Sequence, residues 1–182
     1  MSNMHKSWIS YKGYYKKKRV KENVKGGRKI KMDIGSGSAY PSCALSNFAP
    51  HPFVIDGVEC ASMEGFLQSL KFKSPDMQRH VCTLVGKAAK FKGKDKKWWK
   101  DQTLYWQGVE YKRDSEEYQI LLNRAYNALY QNEGFRRALE ASKPAILTHS
   151  IGKNDESRTV LTQSEFCGRL MKLRMGKKLE EE

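Results

Sequence analysis

One short segment of the chain carries an acid, an amide and an amine at helical spacing. Glu64, Gln68 and Lys71 are separated by four and three residues, so a helix would place them within an arc of about 60°. A carboxylate and an amine on one face can supply a proton, a base or a nucleophile to a polar substrate. The same three side chains can equally be the solvated face of an ordinary helix, and this helix alone leaves both hypotheses open.

Two neighbouring elements would position this polar row. Ser62 is a good N-cap for a helix predicted over 62–73, and a short hairpin of Phe53–Ile55 and Val58–Cys60 is predicted just before it, around Asp56-Gly57. The helix also has an apolar stripe that would face a core, formed by Met63, Phe66, Leu67 and Leu70. The polar row should therefore lie directly beside the core.

The segment from Leu45 to Phe72 resembles a family of N-glycosidases. It contains Leu45-Ser46-Asn47-Phe48, the hairpin strand with Asp56-Gly57, and then Ser-x-Glu-x-x-x-Gln-x-x-Lys-Phe from Ser62 to Phe72. This order is similar to the NADAR family, the YbiA-like N-glycosidases, and the similarity extends over 29–174, with further matches at 148–150 and 170–174. Members of the family cleave N-glycosidic bonds in riboflavin-pathway intermediates or between ADP-ribose and guanine bases.

The resemblance implies roles for the polar residues. Glu64 would stabilise an oxocarbenium-like ribose or activate water, and a half-buried Lys71 could be a free amine that attacks the anomeric carbon. The division of labour between these two candidate catalytic residues stays open. Gln68 would donate to a ribose hydroxyl or to the base. No metal or redox cofactor is needed for this chemistry.

Four further residues are candidates for contact with the substrate. Asn47 and Phe48 follow a predicted extended turn and by resemblance lie in the pocket, although Phe48 could be a core residue and Asn47 an Asx-turn residue. His149 ends a predicted strand at the matching family position, where a structural hydrogen bond is the alternative. Trp106 is a candidate substitute for a family tryptophan that this chain lacks, and core packing is the more favoured role for it.

The chain departs from the family pattern at two places. Gly65 stands where the family usually has His after the helix Glu, and residues 152–162 replace the usual Trp-Gly-Asp/Gly element. That element supplies substrate contacts in other members. Its absence favours one alternative, a non-catalytic protein that binds nucleic acid or ADP-ribose.

Positive charge is concentrated in two parts of a chain whose net charge is +14. Residues 1–33 hold eleven Lys and Arg against Glu22 and Asp33, and residues 86–100 hold seven Lys against Asp95. Basic clusters beside aromatic residues are typical of nucleic-acid binders, whereas a purely solubilising surface is the alternative. The adjacent aromatic residues are Tyr11, Tyr14, Tyr15, Trp98 and Trp99.

The length of 182 residues suits one compact α+β domain, predominantly helical with a few short strands. We expect a basic N-terminal arm over 1–27, a catalytic domain over 28–176 and an acidic tail over 177–182. Further helices are predicted from Ser74-Pro75 to about residue 86 and over 87–91, 114–131, 135–141 and 163–175. Strands are predicted over 29–34 and 145–149, with a second hairpin turning at Gln107-Gly108.

The four cysteines are far apart, which indicates neither a disulfide framework nor a zinc site. The start of the chain lacks the apolar run of a signal peptide, and no segment is long enough to cross a bilayer. These features predict a reduced, cytoplasmic protein without a membrane partner.

The leading hypothesis is a hydrolase that removes ADP-ribose from guanine in DNA or RNA, with the basic arm binding the polymer. A small riboflavin-pathway substrate is the second hypothesis, although it leaves the arm unexplained. Small size, high lysine content and the added arm would suit a phage or mobile-element protein that reverses a host's ADP-ribosylation defence, acting in the host cytoplasm.

Overall fold

Seven α-helices and three two-stranded sheets are formed by residues 30–182, the part of the chain that the computed structural model describes. The predicted arm over 1–27 lies outside the described residues. The helices are α1 Ser42–Leu45, α2 Met63–Ser69, α3 Pro75–Cys82, α4 Gly86–Lys92, α5 Glu116–Leu129, α6 Glu133–Ala141 and α7 Gln163–Arg174. The strands are β1 Lys31–Asp33, β2 Phe53–Ile55, β3 Val58–Cys60, β4 Thr103–Trp106, β5 Val109–Lys112 and β6 Ile146–Thr148. The predicted α+β class, mainly helical with short strands, is confirmed.

Both predicted hairpins are present. Strands β2 and β3 pair antiparallel across Asp56-Gly57, and β4 and β5 pair across Gln107-Gly108. All four turn residues have positive φ, from 46° to 87°, which is the conformation that two-residue hairpins of this kind require.

Strands β1 and β6 pair in parallel, with Met32 opposite Leu147. Because β6 comes more than a hundred residues after β1, this pairing joins the two ends of the domain. It also places His149, one residue beyond β6, beside the end of β1.

Side-chain caps explain where five of the six predicted helices begin; α4 has no such cap. Ser62, Ser74, Ser115, Asn132 and Thr162 each accept a hydrogen bond from the backbone N–H three residues later. Two helices end earlier than predicted: α2 ends at Ser69, so that Lys71 and Phe72 lie in turns, and α3 ends at Cys82. Helix α1 was not predicted.

The apolar stripes predicted for α2, α5 and α7 form the core. All four stripe residues of α2 are buried, and so are the inward residues of α5 and α7. The predicted inward residues of α5 and α7 are Tyr118, Leu121, Leu122, Ala125 and Leu129, and Phe166, Leu170 and Leu173. No helix within residues 30–182 is long and apolar enough to cross a bilayer.

An ion pair between a buried arginine and a partly buried glutamate anchors the segment that replaces the missing family element. The fully buried Arg113 donates two hydrogen bonds to the Glu165 carboxylate, at 3.1 and 2.7 Å, and a third to the Thr159 carbonyl at 2.8 Å. The Tyr118 hydroxyl donates to the Val160 carbonyl at 2.7 Å. The C-terminal end of the 152–162 segment is therefore fixed to the core through its backbone.

Residues 177–182, predicted as an acidic tail, pack against α5. The Asn127 amide donates to the Leu179 carbonyl at 2.9 Å and accepts from the Leu179 N–H at 3.0 Å, while Asn123 donates to the Glu180 carbonyl at 2.7 Å. The Leu179 side chain is buried in the core. This segment is thus part of the packed domain.

Gly65 lies at a close contact between α2 and the end of α3. A Cβ atom at this position would lie 2.7 Å from the Leu84 carbonyl oxygen and 3.1 Å from the Cys82 and Val81 carbonyl oxygens. The backbone atoms leave no space for a side chain. The histidine that the family usually has here would not fit this packing.

We expect Gly65→Ala to lower the free energy of unfolding by about 1–3 kcal/mol, because the methyl group must push α2 away from α3. Urea denaturation followed by circular dichroism measures the change. Gly37→Ala is the matched control, since a Cβ atom there would meet nothing within 4 Å. Equal unfolding free energies for the two variants would show that α2 and α3 can move apart to accommodate the methyl group without loss of stability.

Candidate active site

The two residues of the polar row that lie on α2, Glu64 and Gln68, are buried, so they are not part of a solvated helix face. Glu64 is 9% exposed and Gln68 is 7% exposed. The Glu64 N–H donates to the Asn47 carbonyl at 2.8 Å, so the chain before β2 covers the start of the helix. An acid and an amide are thus held inside the protein, where unpaired polar groups are costly.

Gln68 connects the acid to the chain that follows α4. Its amide nitrogen donates to the Glu64 carboxyl group at 2.9 Å. Its amide oxygen has no hydrogen-bond partner in the part of the chain that the structure describes. A Cβ atom on Gly93 would lie 2.1 Å from that oxygen, so the glycine allows the amide to pack directly against the backbone.

Lys71 lies just beyond α2, in a turn closed by its own N–H and the Gln68 carbonyl at 3.3 Å. The side chain is half-buried, and its Nζ donates to the Gly93 carbonyl at 3.4 Å. The Lys71 amine and the Gln68 amide therefore both meet the chain at Gly93, although the helix itself does not extend to the lysine.

Burial shifts both ionisable groups towards their neutral forms. The pKa of Glu64 is raised by burial, against the opposing effects of the Gln68 hydrogen bond and the positive charges of Lys71, Lys90 and His149. The pKa of Lys71 is lowered by burial and further by the charge of Lys90, while Glu64 opposes the shift. Both shifts are thus in the direction of a carboxylic acid and a free amine.

Asn47 and Phe48 lie beside this pair. They follow helix α1 rather than an extended turn. The Asn47 side-chain oxygen accepts from the Tyr126 hydroxyl at 2.8 Å, and the Ser46 hydroxyl, not Asn47, makes the local bond to the Phe48 N–H at 3.3 Å. A Cβ atom on Gly86 would lie 3.7 Å from the half-buried Phe48 ring.

The sequence analysis missed Lys90 and Tyr126 as members of the site. The Lys90 Nζ lies 5.7 Å from the centre of the Phe48 ring, within the range of a cation–π contact. Tyr126 is a fully buried residue of α5 that holds the Asn47 side chain. The available signals were the basic cluster that contains Lys90 and a polar hydroxyl on the core face of α5.

His149 is half-buried at the end of β6. Its Nδ1 lies 2.8 Å from the Ile34 carbonyl, and its ring packs edge-to-face on Phe166 with the centres 5.2 Å apart. When the neutral ring donates from Nδ1, Nε2 is left as an acceptor. A Cβ atom on Gly152 would lie 2.7 Å from the ring, so the segment that replaces the family element begins against this histidine.

The ring of Trp106 does not lie beside the other candidate residues, where it could stack on a substrate. It is 2% exposed, its Nε1 donates to Asp56 at 2.8 Å, and its ring packs edge-to-face on Phe66 at 5.0 Å. The proposal that it replaces the family tryptophan is therefore not supported. Trp106 packs in the core and fixes the turn of the first hairpin.

Comparisons with known proteins identify relatives of the whole domain. A model of the family described as bacteriophage protein GP30.3 matches residues 39–175. An uncharacterized 17.1 kDa protein in the Gp30–rIII intergenic region of Enterobacteria phage T4 is 44% identical over 146 residues, which are 79% of this chain and 96% of that protein. The NMR structure of the E. coli protein YbiA matches with a TM-score of 0.55 at 19% identity, over 82% of this chain and 86% of that one. The predicted YbiA-like fold is confirmed.

We expect Glu64→Gln to stabilise the fold increasingly as the pH rises. Because burial raises the pKa of Glu64 above its ordinary value of 4.5, the acid's contribution to stability is complete below that value and is lost as the pH rises through the folded pKa. Glutamine keeps the bond to Gln68 and cannot ionise. Melting temperatures of both proteins between pH 5 and 9, a range chosen to span such a raised pKa, measure the difference.

Glu59→Gln, which alters an exposed carboxylate on β3, is the matched control and should show no such trend. A constant difference in melting temperature between Glu64→Gln and the native chain would mean that Glu64 ionises alike in the folded and unfolded protein, so that its pKa is not raised by burial.

Proposed function

This chain belongs to the bacteriophage protein GP30.3 family, and we propose that it is an N-glycosidase that hydrolyses the bond between ADP-ribose and a guanine base in DNA or RNA. The YbiA-like fold is compatible with a glycosidase. The observation that carries the proposal is the pair formed by the buried Glu64 and the half-buried Lys71, in which burial raises the pKa of the acid and lowers the pKa of the amine.

Cleavage of an N-glycosidic bond by this route needs Glu64 and Lys71 in their neutral forms, the direction in which burial shifts both groups. The departing base must take up a proton as its bond to the ribose breaks, and a carboxylic acid of raised pKa can donate it near neutral pH. The anomeric carbon must be attacked as the base leaves, and a lysine attacks only as the free amine. One helix and the turn after it supply both groups.

The proposed reaction proceeds through a covalent intermediate. The Lys71 amine attacks the anomeric carbon, the bond to the guanine nitrogen breaks, and that nitrogen takes the proton of Glu64. The bond between the anomeric carbon and the ring oxygen then breaks to give an imine, with the ammonium proton moving to the ring oxygen. Water adds to the imine carbon while the Glu64 carboxylate takes its proton, and collapse of this adduct releases ADP-ribose and the amine.

The surrounding residues have matching roles in this proposal. Gln68 holds the Glu64 carboxyl group, and its free amide oxygen can accept from the substrate. Lys90 offers an exposed ammonium group to the diphosphate of ADP-ribose, beside a Phe48 ring that can stack on a base. The Nε2 of His149 can accept from a ribose hydroxyl.

The direct test is to incubate the full chain with an oligonucleotide that carries ADP-ribosylated guanine. Mass spectrometry should detect free ADP-ribose together with the unmodified oligonucleotide. Binding without release would identify a non-catalytic binder, and cleavage restricted to riboflavin-pathway intermediates would place the activity on small molecules. Either result would overturn the proposal.

We expect Lys71→Arg to lower turnover of that substrate by about a hundredfold or more, because a guanidinium group stays protonated and cannot attack carbon. Borohydride should trap an adduct with the native chain and none with Lys71→Ala or Lys71→Arg. Lys73→Arg, which changes an exposed lysine paired with Glu110, is the control and should keep full turnover. An active Lys71→Arg variant without an adduct would favour Glu64-assisted attack by water.

We expect Lys90→Met to move both limbs of the pH profile of kcat/KM to higher pH. The charge of Lys90 lowers the pKa of Glu64 and of Lys71, so its removal raises both pKa values. Loss of the diphosphate contact should also reduce kcat/KM at the optimum about tenfold. Lys87→Met removes an exposed charge from the same helix and serves as the control. Movement of the limbs to lower pH would contradict this assignment of Lys90.

A further inference from the structure

A basic and aromatic surface is formed by residues 86–100, which we call the α4–β4 surface because it runs from α4 to the chain just before β4. Two aromatic rings face solvent here: Phe91 is 60% exposed and Trp99 is 42% exposed. Seven exposed lysines accompany them against Asp95, a local charge of +6. These lysines are Lys87, Lys90, Lys92, Lys94, Lys96, Lys97 and Lys100.

The exposed rings belong to a well-anchored segment. Ala89 and Trp98 are buried and fix its inner side. The Gln102 amide donates to the Trp99 carbonyl at 2.8 Å and to the Ser157 carbonyl at 3.0 Å. The Arg158 guanidinium lies 5.7 Å from the centre of the Trp99 ring. Trp99 is thus held in place by its neighbours while much of its ring faces solvent.

Among the described residues, the lysines of this surface form no salt bridges with carboxylates. Elsewhere on the surface, Arg79, Arg137 and Lys143 pair with acids three or four residues away. Within residues 30–182, no salt bridge includes a lysine of the α4–β4 surface. The charge is therefore available to an anionic partner.

The α4–β4 surface adjoins the candidate active site. Lys90 reaches the Phe48 ring from α4, and the Gly93 carbonyl accepts from the Lys71 amine. A polymer bound along this surface would pass directly beside Glu64 and Lys71.

We propose that the α4–β4 surface binds a single strand of nucleic acid, with phosphates on the lysines and unstacked bases on Phe91 and Trp99. This inference rests on the proposed function, since it supplies the polymer that carries the modified base. Exposed rings among lysines suit a single strand because its bases are free to stack on protein side chains, whereas the bases of a duplex stack on each other. Phosphate and base faces are common to DNA and RNA, so strands of either sugar should bind.

The test measures binding of the full chain to unmodified, fluorescently labelled single strands of poly-dT and poly-U over a range of salt concentrations. The variant Lys94→Gln/Lys97→Gln/Lys100→Gln should reduce the slope of log affinity against log salt by about 2, from three lost phosphate contacts. Lys143→Gln/Lys177→Gln/Lys178→Gln removes the same charge outside the surface and should leave the slope unchanged.

The contribution of the two aromatic rings is tested with separate variants. Phe91→Ala/Trp99→Ala should weaken binding about tenfold or more through lost stacking, whereas Trp99→Phe should retain most of the affinity. Melting temperatures establish that each variant is folded. Equal losses from the two lysine variants, equal affinity for duplex and single strand, or binding to anionic lipid vesicles in preference to the oligonucleotides would each overturn the proposal.

The outcome is distinguishable from that of the glycosidase proposal. Because the binding assay uses unmodified strands, it decides the role of the surface even if no bond is cleaved. If both proposals hold, the α4–β4 lysine variant should turn over ADP-ribosylated guanosine like the native chain and show a raised KM only for the modified oligonucleotide.

Discussion

The site depends on one hydrogen bond made out of reach of water, between the Gln68 amide and the Glu64 carboxyl group. In solvent this contact would have little effect on either residue. Inside the protein it holds an acid whose pKa burial has raised, next to an amine whose pKa burial has lowered. The proposed cleavage needs both groups in their neutral forms. The raised pKa of Glu64 also means that the contribution of this acid to stability is lost at high pH.

Two glycines make this burial possible. Gly65 lets α2 approach the carbonyl groups at the end of α3, and Gly93 lets the chain after α4 pack against the Gln68 amide. A side chain at either position would force the helix or the amide outwards. The ion pair between the fully buried Arg113 and the partly buried Glu165 lies farther from the site, and it fixes the end of the segment that begins against His149. Close backbone packing and a buried ionic contact together keep the polar row in the interior.

The sequence predicted the elements that local chemistry controls. Asp56-Gly57 and Gln107-Gly108 located both hairpins, the cap at Ser62 located α2, and its apolar stripe located the core. The burial of Glu64 and Gln68 could not be predicted in this way, because the cover comes from Asn47 and from Gly93, which are distant along the chain. The same reason applies to Tyr126 and to the packing of Leu179 on α5. For Trp106 the favoured role in core packing was correct, and the alternative role as a stacking ring was left open because a hairpin position does not indicate which side of the strand faces the core.

Lys90 links the acid–amine pair to the α4–β4 surface. Its charge lowers the pKa of both Glu64 and Lys71, and in the proposed function it also meets a phosphate of the substrate. A phosphate bound there offsets that charge, so Glu64 would retain its proton to higher pH while Lys71 would hold its proton more tightly. Substrate binding would then help the acid and oppose the nucleophile. Binding of the ADP-ribose therefore makes the departure of the base easier. The Lys71 amine then depends on burial, the dominant cause of its lowered pKa, to stay free for attack.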